Sequence, residues 1–166
     1  MTTNLRNLTN AELLLQIVSA ERACPTCHGY GGMSSQDLVG ISGNNPMYPC
    51  EFCTNTGEVP ILDPKLMRLP CIGQHPYPCY IPNRHEHVCE DCQGRTWVPN
   101  PDAWDMKKAL HLADFDLSEG NAYRINMPWG AGCWKRGLQP SEPVWDADPK
   151  RARLLAVAAA LVAASN

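Results

Sequence analysis

The sequence predicts an α+β fold in which a small, loop-rich region is followed by a small α-β-β-α domain. Nine cysteines occur in 166 residues, and six of them form C-x-x-C pairs. Residues 24–99 are rich in Gly, Pro and Asn and have little periodicity that could form a conventional core. Helical patterns lie before and after this region. We therefore divide the chain into an N-terminal helix (1–22), a cysteine-rich domain (23–99) and an α-β-β-α domain (100–166).

The first predicted element is a helix that begins after Thr9. Thr9 can cap the helix, and Glu12 stands three residues later, as in a capping box. Apolar residues follow at helical spacing to about Arg22. The helix therefore leads almost directly to Cys24, the first residue of the cysteine pairs.

The cysteine spacing predicts zinc sites. A C-x-x-C turn brings two thiolates onto one metal ion, whereas secreted disulfide frameworks space their cysteines more widely. Three knuckles, meaning a cysteine pair and the turn after it, are CPTCHGYG (24–31), CEFCTNTG (50–57) and CEDCQGRT (89–96). The Gly or Asn after each pair tolerates the left-handed backbone that lets N–H groups point at the sulfurs. A small region that buries little apolar surface needs additional stabilisation, which bound zinc ions would supply.

One fragment of the cysteine-rich region occurs twice. CEFCTNTGEVP, residues 50–60, returns 39 positions later as CEDCQGRTWVP, residues 89–99. We interpret each Val-Pro as a strand that leaves its knuckle, with the proline ending the pairing of that strand. The repeat indicates a structural unit that occurs twice, and nothing in it requires catalysis on a substrate.

Beyond residue 99 the pattern predicts a helix, a hairpin and a second helix. Asn100-Pro101 has the form of an N-cap and a first helical residue, and an amphipathic helix follows. The segments NAYRINM (121–127) and AGCWKRG (131–137) flank a turn and predict two short strands. The hairpin carries Cys133, which we expect to be a core thiol.

The last helix is predicted to begin at Asp148-Pro149, and its alanines allow close approach to a sheet. Its first turn carries Lys150, Arg151 and Arg153, which oppose the helix dipole. Their basic character fits either an acidic partner or an ordinary solvated face. For Trp129, Trp134, Lys135 and Arg136, we expect packing of the hairpin on helices in preference to stacking on bases.

The knuckles resemble the cysteine-rich zinc domain of DnaJ-type chaperones, whose signature is four C-x-x-C-x-G-x-G motifs that bind two zinc ions. The resemblance covers residues 24–97, with no J-domain before it, and implies a third motif opened by the insertion IGQHPYP. It thereby implies eight ligands for two zinc ions: Cys24, Cys27, Cys50, Cys53, Cys71, Cys79, Cys89 and Cys92.

The same resemblance bears on how these cysteines are paired. The family pairs its first motif with its fourth and its second with its third, so one zinc ion would join the pair at 24 and 27 to the pair at 89 and 92. Sequential pairing, in which Cys24 and Cys27 share a site with Cys50 and Cys53, remains open. We favour the interleaved arrangement.

Residues 101–166 are also similar in layout to the small ABA-sandwich domain of phage proteins. This similarity rests on the predicted helix, hairpin and helix and on the closing alanine-rich segment. It implies a phage or mobile-element origin and no particular activity.

Charge and composition favour a protein partner over nucleic acid or membrane. The net charge of −3 lies entirely in residues 1–99, and each Zn(Cys)4 centre adds about −2. Nucleic-acid-binding proteins generally carry the opposite charge. The longest apolar run, residues 154–164, is too short to span a bilayer, and the start has no signal core. We therefore expect a cytoplasmic protein that binds no membrane.

The expected function is a zinc-stabilised protein-binding module, acting on a host or client protein as an adaptor, inhibitor or chaperone-like factor. We expect no enzyme activity and no catalytic residue, because four cysteine ligands close each zinc site. The alternatives are a nucleic-acid-binding zinc protein and a thiol-disulfide or metal-dependent enzyme. For the enzyme, His75, His85 or His87 would replace a cysteine ligand and Glu86 would act as base.

Overall fold

The computed structural model describes residues 5–33, 48–71, 92, 95–121, 129–140 and 142–165, and within them the fold is α+β. A short 3₁₀ helix, Leu5–Asn7, comes first. The α-helices are α1 (Asn10–Val18), α2 (Pro64–Met67), α3 (Ala103–Leu112) and α4 (Pro149–Ser165). The strands are β1 (Glu21–Ala23), β2 (Gly32–Met33), β3 (Tyr48–Pro49), β4 (Glu58–Pro60), β5 (Arg68–Pro70), β6 (Trp97–Pro99), β7 (Phe115–Asn121), β8 (Trp129–Lys135) and β9 (Val144–Asp146).

The strands form small antiparallel sheets. In the cysteine-rich region, β1 pairs with β4, β2 pairs with β3, and β5 pairs with β6, so each of these sheets has two strands. The C-terminal region contains one three-stranded sheet in the order β7-β8-β9. Two-stranded sheets are marginally stable alone, so those of the cysteine-rich region need support from the sites described below.

One hydrophobic core runs through all three predicted segments. Leu13 and Ile17 of α1 are buried with Met67, and with Val157 and Leu161 of α4. Helix α4 packs against α1 and against strand β8. Three alanines of α4, Ala152, Ala156 and Ala158, are buried, whereas those near its end are exposed. The cysteine-rich region therefore contributes Ile61, Leu62 and Met67 to a core that it shares with the N-terminal and C-terminal segments.

Helix α1 begins where the sequence predicts and ends earlier. Its capping box is confirmed: the N–H of Glu12 donates to the Thr9 hydroxyl oxygen at 3.2 Å, and the N–H of Thr9 donates to the Glu12 carboxylate at 2.7 Å. The helix ends at Val18 and not near Arg22. The predicted end is wrong because Arg22 lies in β1, whose pairing with β4 draws the chain into a strand.

Helix α3 begins two residues later than predicted. Its N-cap is Asp102, whose carboxylate accepts from the N–H groups of Trp104 and Asp105. Asn100, the predicted cap, is buried, and its side-chain amide donates to the carbonyl of Leu66 and to the Asp105 carboxylate. Asn100 therefore connects the end of β6 to α2 and α3.

The C-terminal sheet differs from the predicted hairpin. Its first strand is Phe115–Asn121, whereas the predicted first strand was residues 121–127, of which 122–127 lie outside the described residues. Two residues of the predicted turn, Trp129 and Gly130, belong to the second strand. The second strand, Trp129–Lys135, begins two residues before the predicted one, and the third strand, β9, was not predicted. Cys133 is a core thiol, as expected, and burial raises its pKa to about 12.

The basic first turn of α4 has partners inside the molecule. Arg151 donates to the carbonyl oxygens of Leu8, at 2.9 Å, and Arg6, at 2.7 Å. Arg153 donates to the carboxylate of Glu119 on β7. These bonds hold the N-terminal segment and the sheet against α4, so the unfavourable orientation toward the helix dipole is offset within the fold.

Glu119 is expected to contribute stability that depends on pH. Burial raises its pKa, but hydrogen bonds from Lys107, at 2.7 Å, and from Arg153 outweigh this and hold the pKa below its usual range. The contribution is therefore present above pH of about 4.3 and is lost as pH falls through the lowered folded pKa. In urea unfolding, Glu119→Gln should lower the free energy of unfolding by about 2 kcal/mol at pH 7 and by less at pH 4. Exposed Glu142→Gln is the control, and an equal deficit at both pH values would refute this account.

Candidate metal centre

Four buried cysteines form a compact cluster, the first centre: Cys24, Cys27, Cys50 and Cys53. Their sulfur atoms all lie within 4.8 Å of one another, with Sγ distances of 3.8 Å between Cys24 and Cys50 and 3.6 Å between Cys27 and Cys53. A tetrahedral zinc ion with Zn–S bonds of about 2.3 Å places its sulfur ligands about 3.8 Å apart, whereas a disulfide needs about 2.05 Å. The cluster therefore fits a tetrahedral metal ion, and the four cysteines are not disulfide-bonded.

The two knuckles of the first centre bind each other reciprocally. The N–H of Cys24 donates to the carbonyl of Gly57 at 2.8 Å, and the N–H of Cys50 donates to the carbonyl of Gly31 at 3.1 Å. Strand β1 enters the first knuckle and pairs with β4, which leaves the second, and β2 and β3 pair in the same way. The backbone thus brings the two cysteine pairs together, and the metal would close the arrangement.

Glycine is needed where the two knuckles touch. A Cβ added to Gly31 would lie 2.5 Å from the Asn55 carbonyl oxygen, and one added to Gly57 would lie 2.3 Å from that of Gly29. Asn55 has a positive φ of 69°, as expected for an Asn in the place of the first motif glycine. The glycines of the motif therefore serve both backbone conformation and close approach.

Backbone N–H groups directed at the sulfurs favour the thiolate form that a metal binds. Burial raises the pKa of Cys24, but the N–H groups of Cys27 and Thr26 lower it to about 7 overall. Burial opposes ionisation of Cys53 too, yet the Gly57 N–H, 3.3 Å from its sulfur, leaves the pKa lowered. Burial and the neighbouring Cys24 thiol raise the pKa of Cys27 to about 11. The thiols of the cluster therefore differ in how tightly they hold their protons, and a metal ion would displace those that remain.

The interleaved pairing favoured above is wrong for the first centre. Cys24 and Cys27 share their cluster with Cys50 and Cys53, which is the sequential alternative. The physical reason is the pairing of β1 with β4 and of β2 with β3, which joins the first knuckle to the second.

The remaining predicted ligands are only partly described. Cys71 is half-buried and Cys92 is buried. In sequence, both adjoin the end of the β5–β6 pair at which Pro70 pairs with Trp97. Cys79, Cys89, His75, His85 and His87 lie outside the described residues. Their roles as ligands or alternatives remain predictions.

The β5–β6 pair has the same backbone arrangement as the β1–β4 pair of the first centre. The N–H of Cys71 donates to the carbonyl of Thr96 at 3.1 Å, as that of Cys24 does to Gly57. Thr96 stands four residues after Cys92, as Gly57 stands four residues after Cys53, and both have positive φ. The two Val-Pro repeats therefore occupy the same structural position in two successive units, residues 20–61 and 67–100.

Both strands end at their prolines, as predicted, since Pro60 is the last paired residue of β4 and Pro99 is the last paired residue of β6. One residue beyond Pro60, the N–H of Ile61 donates to the carbonyl of Ala20 at 2.9 Å, and one residue beyond Pro99, that of Asn100 donates to the carbonyl of Met67 at 2.9 Å. Each proline occupies a non-hydrogen-bonded position of its antiparallel pair, where the backbone N–H that proline lacks is not required.

Thr96 is expected to be strained, because a β-branched residue rarely adopts its φ of 65°. Replacing it by Gly, which occupies this place in the first unit, should raise the free energy of unfolding by about 1 kcal/mol. Chemical denaturation of the metal-loaded protein measures the change. Thr26→Gly is the control, since Thr26 has no positive φ and should lose stability. A loss of stability in both variants would show that Thr96 is not strained.

Two aromatic residues near the cysteines, Tyr30 and Trp97, were not singled out by the sequence analysis. Tyr30 and Phe52 are exposed on the knuckles of the first centre. At the second unit, the guanidinium carbons of Arg68 and Arg95 lie 4.4 and 5.4 Å from the ring centroid of Trp97. For Tyr30 and Phe52 the available signal was their position close to predicted ligand cysteines, in a region whose sequence predicts little core that could bury a large side chain.

No family model, curated protein or solved structure matches the chain. The resemblances to the DnaJ-type zinc domain and to the ABA-sandwich domain therefore stay predictions. Among the described residues, no helix has both the length and the apolar character that crossing a bilayer requires.

Proposed function

We propose that this chain is a zinc-stabilised protein-binding module. The observation that carries the proposal is the first centre, in which four buried thiols fit one tetrahedral ion. Zinc is the metal proposed, because a tetrahedral set of four thiolates suits it and because such a set leaves no open position for a substrate. The metal would stabilise the fold, and its chemistry would not be used on a substrate.

A second zinc ion is part of the proposal. Its ligands would be Cys71, Cys79, Cys89 and Cys92. The support comes from the two described members, since Cys71 has the same backbone bond as Cys24 and Cys92 has the same position before its strand as Cys53. A reducing cytoplasm, where thiols stay free to bind metal, is the compartment that suits both sites.

Binding to protein is favoured by charge and by exposed aromatic residues. The negative balance of residues 1–99 would grow with each Zn(Cys)4 centre, which disfavours contact with phosphate backbones. Exposed aromatic side chains are enriched at the centres of protein interfaces.

Nucleic-acid binding is the second candidate, and the cluster of Arg68 and Arg95 on Trp97 supports it. Arginine and tryptophan are common in single-strand binding sites. However, the Trp97 ring is partly buried against the core and lies close to two guanidinium groups. This arrangement favours a structural role for the cluster.

Native mass spectrometry of protein purified without chelator tests the zinc proposal. Two zinc ions per chain are expected, and Cys71→Ser should retain one of them. One ion or none in the unaltered chain would overturn the two-zinc proposal.

Affinity purification from the cells that encode the chain, with and without nuclease, tests the partner class. A protein partner should be retained at the same stoichiometry after nuclease treatment. Loss of all bound material on nuclease treatment would overturn protein binding in favour of the second candidate.

A further inference from the structure

The first centre carries two exposed aromatic side chains on adjoining turns. Tyr30 is 79% exposed and Phe52 is 63% exposed. Tyr30 precedes Gly31, whose backbone packs against the carbonyl of Asn55 in the turn that begins with Phe52. Both turns are held by cysteines of the same buried cluster, and the aromatic pair that they carry is here called the knuckle tip. A preorganised surface of this kind binds at a lower entropic cost than a mobile loop.

The knuckle tip lies in an acidic part of the molecule. Residues 21–33 and 48–60 contain three glutamates and one arginine, and all three glutamates are exposed. Glu51 directly precedes Phe52, and Glu58 follows the second knuckle. A bound metal would leave the four thiolates with a net charge of about −2 beneath the tip. A cation over an aromatic face is attracted by the ring, and nearby negative charge adds to this attraction.

We propose that the knuckle tip is a docking site for a basic segment of a partner protein, in which lysine or arginine side chains alternate with apolar ones. The proposal rests on the protein-binding function above and names the surface and the chemistry of the partner. Tyr30 and Phe52 would contact the apolar groups and the stems of the cations. Glu51 and the metal–thiolate cluster would attract the cationic heads.

A second pair of exposed apolar residues provides a matched comparison. Trp104 is 77% exposed and Leu112 is 62% exposed, both on α3. They stand eight residues, or about 12 Å, apart along the helix, with the exposed Lys108 between them. The two α3 residues are therefore separated along the helix by a cationic side chain, which would disfavour a basic segment at that place.

The test uses a display library of random dodecapeptides, panned against the full zinc-loaded chain. Enriched peptides are then titrated by fluorescence anisotropy against three proteins of equal zinc content: the unaltered chain, Tyr30→Ser/Phe52→Ser and Trp104→Ser/Leu112→Ser. The enriched peptides should be rich in lysine or arginine together with apolar residues. Their affinity should fall at least tenfold in the tip variant, stay within twofold in the α3 variant and weaken with added salt.

Three results would overturn the proposal: enrichment of acidic or uncharged peptides, an unchanged affinity in the tip variant, or no enrichment. Peptides whose binding depends on the α3 pair would end the proposal for the knuckle tip and leave the protein-binding function standing. Failure to enrich any peptide, together with the loss of all partners in the nuclease experiment, would remove both.

Discussion

Cys50→Ser is expected to unfold the first unit, residues 20–61, while the main core stays folded. Among the described residues of this unit, the separate buried cluster consists of the four cysteines with Val59 packed against it, so little apolar burial remains there once the metal is lost. Structural zinc contributes about 10 kcal/mol or more to small domains, and loss of one thiolate ligand should remove most of it. Hydrogen exchange should show loss of amide protection in β1 to β4, and native mass spectrometry should show one zinc ion fewer.

Cys133→Ala is the control for this experiment. Cys133 is equally buried but belongs to the main core, so its replacement should lower global stability modestly and leave metal content unchanged. A Cys50→Ser protein that keeps its full zinc content and the amide protection of β1 and β4 would disprove the ligand assignment.

Gly57→Ala should be nearly as damaging, although it leaves every ligand in place. The added Cβ would lie 2.3 Å from the carbonyl oxygen of Gly29, which is backbone and cannot move aside without separating the two knuckles. Steric overlap and the φ of 81° together should cost at least about 3 kcal/mol. Denaturant unfolding and zinc affinity, measured by competition with a chromophoric chelator, report the two consequences.

Gly137→Ala separates the two causes of this damage. Gly137 has a φ of 85°, but an added Cβ would meet no atom within 4 Å. Gly137→Ala should lower the free energy of unfolding only by the cost of the backbone conformation, about 1 kcal/mol, and should leave zinc affinity unchanged. Equal effects of the two substitutions would mean that contact between the knuckles contributes nothing to the site.

The local features of the metal centre could be predicted from the sequence, whereas its pairing could not. A C-x-x-C turn and the glycine or asparagine after it depend on residues within eight positions, and the first centre contains all four cysteines of its two knuckles. Which knuckles meet depends on strand pairing between β1 and β4, separated by more than 30 residues. The repeated Val-Pro fragment contained a clue, because both copies close a unit that an earlier strand had opened.

The helices and sheet show the same division between local and distant causes. The capping box of Thr9 and the start of α4 at Pro149 follow from neighbouring residues and were predicted. Strand β7, with the sequence FDLSEGN, was missed because Asp, Ser and Gly are poor strand formers. It forms a strand because Phe115 is buried in the core and Glu119 binds Lys107 and Arg153. Likewise, the arginines in the first turn of α4 bind Leu8 and Glu119, which are more than 30 positions away, in addition to the nearby Asp146.

The sequential arrangement of the first centre also has a consequence for biosynthesis. Its last cysteine, Cys53, leaves the ribosome 39 residues before Cys92, which the interleaved pairing would have required. At ordinary elongation rates this interval is about 2 to 8 s. The nascent chain would therefore capture its first ion and close β1 on β4 while the sheet and final helix are still being made, and reactive thiols would be shielded from oxidation early in synthesis.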